Sequence, residues 1–287
     1  MELFTIENLR CSYERPFVEG RSRVVLEIER LQLLKGHKVF IVGESGIGKS
    51  TILETLGMMN DTIVPDPRTR FVFHEDDGHE TDLCALWRGG DDALSKFRLR
   101  HYSFIFQSTN LMRNFTAYEN VAYTRMLQGY SMQECMNRTR QVLTDLGLEH
   151  IDESRLVHEL SGGQQQRLAF ARAILPSFTV LFGDEPTGNL DPENAARVMR
   201  ILSRKLDEQN GASAIIVSHD MRMATTFADI IVKIRRGIRP KQHEEDEDVT
   251  YGIIDASSSF TPNEERTTWS NGKVHFTTDE FEEFLRK

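Results

Sequence analysis

Cysteine is scarce: Cys11, Cys84 and Cys135 are the only three in 287 residues, and they stand far apart at no metal-ligand spacing. That excludes a disulfide-stapled scaffold and a cysteine-built metal site, and reduced thiols are the expectation. Long apolar runs are lacking too. None approaches the ~20 residues needed to span a bilayer. The opening "MELFTIENLR" alternates like a strand and has no basic flank followed by an apolar block, so no secretory signal is read. No segment repeats. Nor is there a basic excess: 35 Lys and Arg face 44 Asp and Glu, for a formal net charge of −9. The deficit lies at the end, since residues 242–287 carry −8 and the rest only −1. A near-neutral body with an acidic tail gives no electrostatic ground for nucleic-acid binding, and no direct nucleic-acid partner is expected.

What is present is an ordinary globular composition, 39% hydrophobic and 28% charged. The stretch "RVVLEIER" (23–30) alternates, whereas "KVFIVG" (38–43), "FTVLFGDEP" (178–186) and "SAIIVSHD" (213–220) are continuous apolar strands of the buried kind. Helices are expected after Lys49, mainly across 116–147, and at about 162–175 and 192–209. Apolar strands alternating with helices indicate an α/β fold with a largely parallel sheet. Beyond Gly237, "RRGIRPKQHEEDEDVT" turns from basic to acidic and reads as a solvated linker. A hairpin at Asn271-Gly272 and a short terminal helix capped by Thr278 follow, expected to pack on the body.

The run "GESGIGKS", Gly43–Ser50, follows a predicted strand and opens a predicted helix. This is the phosphate-loop pattern in its required context. Gly43, Glu44, Ser45, Gly46, Ile47 and Gly48 would wrap backbone N–H groups around phosphate, Lys49 would reach the β- and γ-phosphates, and Ser50 would offer a hydroxyl to Mg²⁺. A glycine turn before an ordinary helix is the plainer alternative, disfavoured by the acidic strand end downstream. There Asp184 can hold Mg²⁺, and Glu185 can polarise an attacking water, a contribution of ~10²–10⁴-fold for a placed base. Kinase and hydrolase both remain open on these residues alone. A second anion site is legible in "ELSGGQQQRLAFARAI", where Ser161, Gly162 and Gly163 open a helix and so present bare N–H groups at its positive end.

"LSGGQ" (Leu160–Gln164) resembles the signature of ATP-binding-cassette (ABC) ATPases. The phosphate loop, Gln107 after "YSFIF", Asp184-Glu185, "GNLD" ending at Asp191, and His219 in "IIVSHD" stand in that family's order, over about residues 1–237. The resemblance implies a P-loop NTPase fold, the ABC nucleotide-binding domain, with an antiparallel β subdomain and a helical subdomain at about 107–175. Residues 238–287 are then an acidic linker and a small C-terminal extension. It further implies ATP and Mg²⁺ as cofactors and ATP hydrolysis as the activity. A second copy of the chain would pair head to tail, so that Ser161, Gly162, Gly163 and Gln164 of one subunit close on ATP held by the other's phosphate loop.

By similarity, Thr51 adds an α-phosphate contact, Gln107 touches Mg²⁺ or the lytic water, and Asp184 and Ser50 serve the metal. Asp191 lies at the dimer seam, and His219 holds the γ-phosphate beside Glu185. Tyr13 matches the aromatic that stacks on adenine, with Phe17 close enough to compete and core packing as the other reading of Tyr13. Ile47, where the family often has serine, is harmless if backbone groups do the binding.

"DEPTGNLD" with "FIFQSTNLMRNFTAYENV" resembles the branch serving lipoprotein release, macrolide export and the bacterial cell-division ABC complex. Met112-Arg113 stands where that branch usually carries a proline. The resemblance implies a cytoplasmic subunit, peripheral on the inner face of the cell membrane, that drives movement in a separate transmembrane subunit. The alternative is a soluble ABC ATPase of DNA maintenance, translation or defence. Two-cassette factors would show each motif twice, and coiled-coil DNA proteins a very long insertion; neither is found. "HEDDGH" (74–79) reads as an exposed turn and "EEDED" (244–248) as linker, not as metal sites. Met112, Met126, Met132 and Met136 are expected to pack the helical subdomain or face a partner.

Overall fold

The computed structural model describes residues 1–14, 23–188, 190–209, 211–239 and 249–286. Alternating side chains build two long antiparallel strands, β1 (Glu2–Ser12) and β2 (Val24–Leu34), with Ile6 opposite Leu31 and Leu9 opposite Ile28. The apolar β3 (Lys38–Val42) leads to α1 (Lys49–Leu56). Next come β4 (Arg70–His74), β5 (Glu80–Asp82), α2 (Leu83–Arg88) and α3 (Asp91–His101). Then β6 (Tyr102–Ile105), α4 (Ala117–Leu127), α5 (Met132–Asp145), α6 (Gly162–Ile174), β7 (Val180–Asp184) and α7 (Pro192–Glu208) follow. The chain continues through β8 (Ser213–Val217), α8 (Met221–Phe227), β9 (Ile230–Lys233), β10 (Arg235–Arg239) and β11 (Val249–Ile254). It closes with β12 (Ser259–Pro262), β13 (Thr268–Ser270), β14 (His275–Thr277) and α9 (Thr278–Arg286). The mainly helical stretch 116–147 holds two helices, α4 and α5, and Ser131 starts the second by accepting a hydrogen bond from the Glu134 N–H.

Two compact units divide these elements. The first holds the described residues of 1–94 and 215–287. It contains a six-stranded sheet in the order β10-β11-β2-β1-β4-β5, which buries Phe4, Phe71 and Phe73 as an aromatic cluster. It also contains β14-β13-β12-β9-β3 in that order, with β3 and β9 parallel. The Ser218 N–H, just past β8, donates to the Ile41 carbonyl at 3.3 Å.

The C-terminal residues are woven into this unit. β11 runs parallel to β2, and β12 pairs antiparallel with β9. Phe260, Trp269, Phe276, Phe281 and Phe284 form an aromatic nucleus under α9, and the Thr225 hydroxyl of α8 donates to Glu282 at 2.8 Å. The helix cap is Thr277, one residue before the expected Thr278. Glu280 N–H donates to the Thr277 hydroxyl while Glu280 accepts from the Thr277 N–H, a reciprocal box that Thr278 has no Glu three residues on to form. The acidic run 244–248 lies outside the described residues. His74 and His79 flank the β4–β5 turn as expected, with His74 3.4 Å from both Glu2 and Glu80. Among the described residues no cluster of three metal-ligating side chains forms.

The second unit, 95–214, pairs β6 and β7 in parallel, with Tyr102 opposite Val180 and Ile105 opposite Gly183. Tyr102, Phe104 and Phe182 pack ring on ring across the pair. From α6, Leu168, Phe170, Ala171 and Ile174 are buried, so this helix is the unit's central packing element. Among the described residues, no helix is long and apolar enough to cross a membrane.

Candidate functional site

In the first unit, β3 ends and the chain turns through Gly43–Gly48 into α1, so the loop's N–H groups and the helix's positive end share one place. Gly48 holds φ at 103°, a left-handed value that a side chain resists, and a Cβ there would stand 3.4 Å from the Val25 carbonyl. Ile47 turns its side chain inward and is buried, which leaves only its backbone facing the loop. Lys49 Nζ donates to the Gly43 and Glu44 carbonyls at 2.8 and 2.7 Å and so lies over the loop rather than out in solvent. Ser50 is exposed beside it. These groups fit a polyphosphate: a glycine-rich loop backbone, one ammonium and one hydroxyl at a helix start.

Tyr13 follows β1 at the same unit's surface. Being 57% exposed, it is not a core residue, which removes the packing alternative. Its hydroxyl meets the Thr51 hydroxyl at 3.0 Å, and partial burial raises the phenol's pKa. Thr51 is buried and engaged with Tyr13, a link not foreseen for either residue. Phe17 lies outside the described residues. His219 is exposed just past β8, and the next residue, Asp220, caps α8 through the Met223 N–H at 2.9 Å. Since Ser218 bonds to Ile41, His219 and the phosphate loop leave neighbouring strands at the same end.

In the second unit, β6 and β7 end side by side, so exposed Gln107 and the pair Asp184-Glu185 also leave adjacent parallel strands at one end. Glu185 has φ of 49°, a left-handed conformation that costs about 1–3 kcal/mol for a residue other than glycine. The turn is closed by Gly188 N–H on the Glu185 carbonyl at 3.1 Å. Asp191 caps α7, accepting from the Asn194 N–H and side-chain amide, and these bonds hold its carboxyl below the usual range.

Ser161 caps α6 through a reciprocal box with Gln164: the Gln164 N–H reaches the Ser161 hydroxyl at 3.3 Å, and the Ser161 N–H reaches Gln164 Oε1 at 2.8 Å. Gly162 and Gly163 are in helical backbone, and nothing lies within 4 Å of where their Cβ atoms would be. Neither conformation nor packing within this chain calls for glycine at these positions.

Two residues passed over in the sequence organise the segment after Gln107. Arg172, on the signature helix, donates to the Thr109 and Asn110 carbonyls at 2.8 and 2.7 Å, and its burial lowers its pKa. The only hint was an arginine amid the apolar "LAFARAI". Buried Asn120 bonds both the N–H and the carbonyl of Met112. It thereby fixes the backbone where a proline was expected from the resemblance. Beside this segment lies a groove of about 350 Å³ walled by Leu99, Phe104, Phe106, Met112, Tyr123 and Leu127. Met112 faces it, Met132 is 58% exposed, and neither Met126 nor Met136 is buried. None of the four methionines is core.

Comparison with known proteins converges on one family. Residues 26–188 match the family described as ABC transporter. The lipoprotein-releasing system ATP-binding protein LolD of Syntrophotalea carbinolica is 39% identical over 221 residues, covering 76% of this chain and 90% of its own. The macrolide export ATP-binding/permease protein MacB of Bartonella henselae is 37% identical over 224 residues, 78% of this chain but 32% of its own. In structure, the ATP-binding cassette MJ0796, solved as a dimer in a post-hydrolysis state with ADP and Pi, superposes with a TM-score of 0.67 at 29% identity. That match covers 80% of this chain and 94% of the other.

Proposed function

This chain belongs to the ABC transporter family and is an ATPase, and from that premise we propose that it works as a head-to-tail pair driving a separate transmembrane subunit. The bare glycines at the start of α6 carry this reading, since they suit a surface that something from outside must approach closely. That something is the γ-phosphate of ATP held by a second copy's Gly43–Ser50 loop. The dimeric cassette solved with ADP and Pi supports the arrangement.

The residue roles are carried over by similarity to the family, and the chemistry of each side chain suits its role. The loop N–H groups and Lys49 bind the phosphates, Thr51 supports the α-phosphate side, and Tyr13 offers its exposed ring to adenine. Ser50, Asp184 and Gln107 are suited to Mg²⁺, which when bound neutralises phosphate charge. Glu185 accepts the proton of the attacking water, worth ~10²–10⁴-fold. His219 donates to the γ-phosphate oxygen, and Asp191 borders the seam between copies. Residues 1–237 carry the cassette's motifs, and residues 238–287 are an extension whose strands β11 and β12 pair with β2 and β9.

The apolar groove at Met112, Tyr123 and Leu127 is suited to a short helix of the membrane subunit. The likeness to LolD and MacB supports a place beside a membrane subunit, in lipoprotein release or export, and force transmission is the third role that the branch resemblance leaves open. The test is a pull-down with Glu185→Gln and Mg-ATP from detergent-solubilised membranes of the native host. A stoichiometric partner with transmembrane helices is the expected result; recovery of soluble proteins or nucleic acid alone would overturn it.

A further inference from the structure

The phosphate loop contains a carboxylate where it is about to receive a polyanion. Glu44 is exposed, and its side chain is ion-paired with Arg236 of β10. The strand register explains the pairing. Arg236 stands opposite Gly252 of β11, and Gly252 stands opposite Leu26 of β2. A Cβ on Gly252 would collide with the Ile47 carbonyl, so β11 is pressed against the loop at a place where only glycine fits. Between β9 and β10 the chain meets the loop's beginning: a Cβ on Gly43 would lie 3.2 Å from the Ile234 carbonyl. The β9–β11 segment therefore lines the loop at Gly43, Glu44 and Ile47. Lys233, over the Phe284 ring at 3.9 Å, adds positive charge near Glu44.

We propose that the paired strands β10 and β11 are an electrostatic brace of the phosphate loop, in which Arg236 cancels the Glu44 carboxylate and so sets the affinity for polyphosphate. The inference rests on reading Gly43–Ser50 as the loop that holds ATP. Exposed ion pairs add little to folding stability, so the pair's value lies in the ligand. Without Arg236, the Glu44 carboxylate on the loop keeps Lys233 to offset it in part, within a Debye length of any phosphate the loop holds. Arg236 is a positioning residue here and does not touch the nucleotide.

The test is isothermal titration of the full chain with Mg-ATP and Mg-ADP, together with melting temperatures. Arg236→Ala should weaken ATP about five- to tenfold at low salt, weaken ADP less, and lose most of this effect at high salt. Melting temperature should stay near that of the unaltered chain. Adding Glu44→Gln to Arg236→Ala should restore ATP affinity to within about twofold, because the unpaired charge is gone. A double variant as weak as Arg236→Ala alone would place Arg236 on the nucleotide and overturn the proposal. Unchanged affinity in Arg236→Ala at low salt would do the same. Failure of the underlying reading has a different signature: ATP affinity indifferent to Lys49→Ala.

Discussion

At the start of α1, Gly48 holds φ at 103° with the Val25 carbonyl 3.4 Å from its missing Cβ; at the start of α6, Gly162 and Gly163 sit in helical backbone with open space around them. Both are helix N-termini with exposed donors, yet glycine is there for different reasons. The first is demanded by the chain's own geometry. The second weakens a helix that would prefer alanine and brings no internal return. A cost without a local cause points to a requirement set by another molecule. In the pair proposed above, that molecule is the nucleotide of the second copy.

The α1 site depends most heavily on its one ammonium group. Lys49→Ala is expected to lower ATP turnover by at least about 10²–10³-fold, as measured by phosphate release. Turnover near that of the unaltered chain would mean that the α1 loop does not hold the phosphates. The α6 site is tested by bulk and charge: Gly163→Asp, placed in the Glu185→Gln background, should bind ATP yet give only monomer by light scattering. Glu185→Gln alone should give an ATP-held dimer. A Gly163→Asp dimer would mean that the open helix start is not a contact surface. The smallest effect separates the two glycine roles without nucleotide. Gly48→Ala should cost about 1–3 kcal/mol of stability, and Gly162→Ala should be neutral or add up to about 1 kcal/mol. Equal shifts in melting temperature would erase the distinction.

Local signals were read well from the sequence, and long-range ones were not. β3, β7 and β8 are apolar runs whose burial follows from composition, and the phosphate loop and signature are contiguous strings. The Asn120 clamp on Met112 and the Arg172 clamp on Thr109 and Asn110 were missed because a buried polar side chain shows its purpose only once its partners are placed. The Thr277 cap was legible in principle, since Glu280 stands three residues on. The return of β11 to β2 had no sequence signal. "VTYGII" reads as a strand, but nothing in it names a partner more than two hundred residues away. A reading that ends the body near Gly237 and treats the rest as tail overlooks Gly252, which touches the phosphate loop.

That late pairing also has a meaning in time. One edge of β2 belongs to β1, and the other waits for β11. On a ribosome adding about 5–20 residues per second, the interval between the two strands is roughly ten to forty-five seconds. Throughout it the nascent chain carries a long, half-apolar strand with unanswered N–H and C=O groups, the kind of edge that recruits a neighbouring chain. The vulnerable moment of this protein is therefore its birth, when chaperone supply and synthesis rate decide how much reaches the folded state.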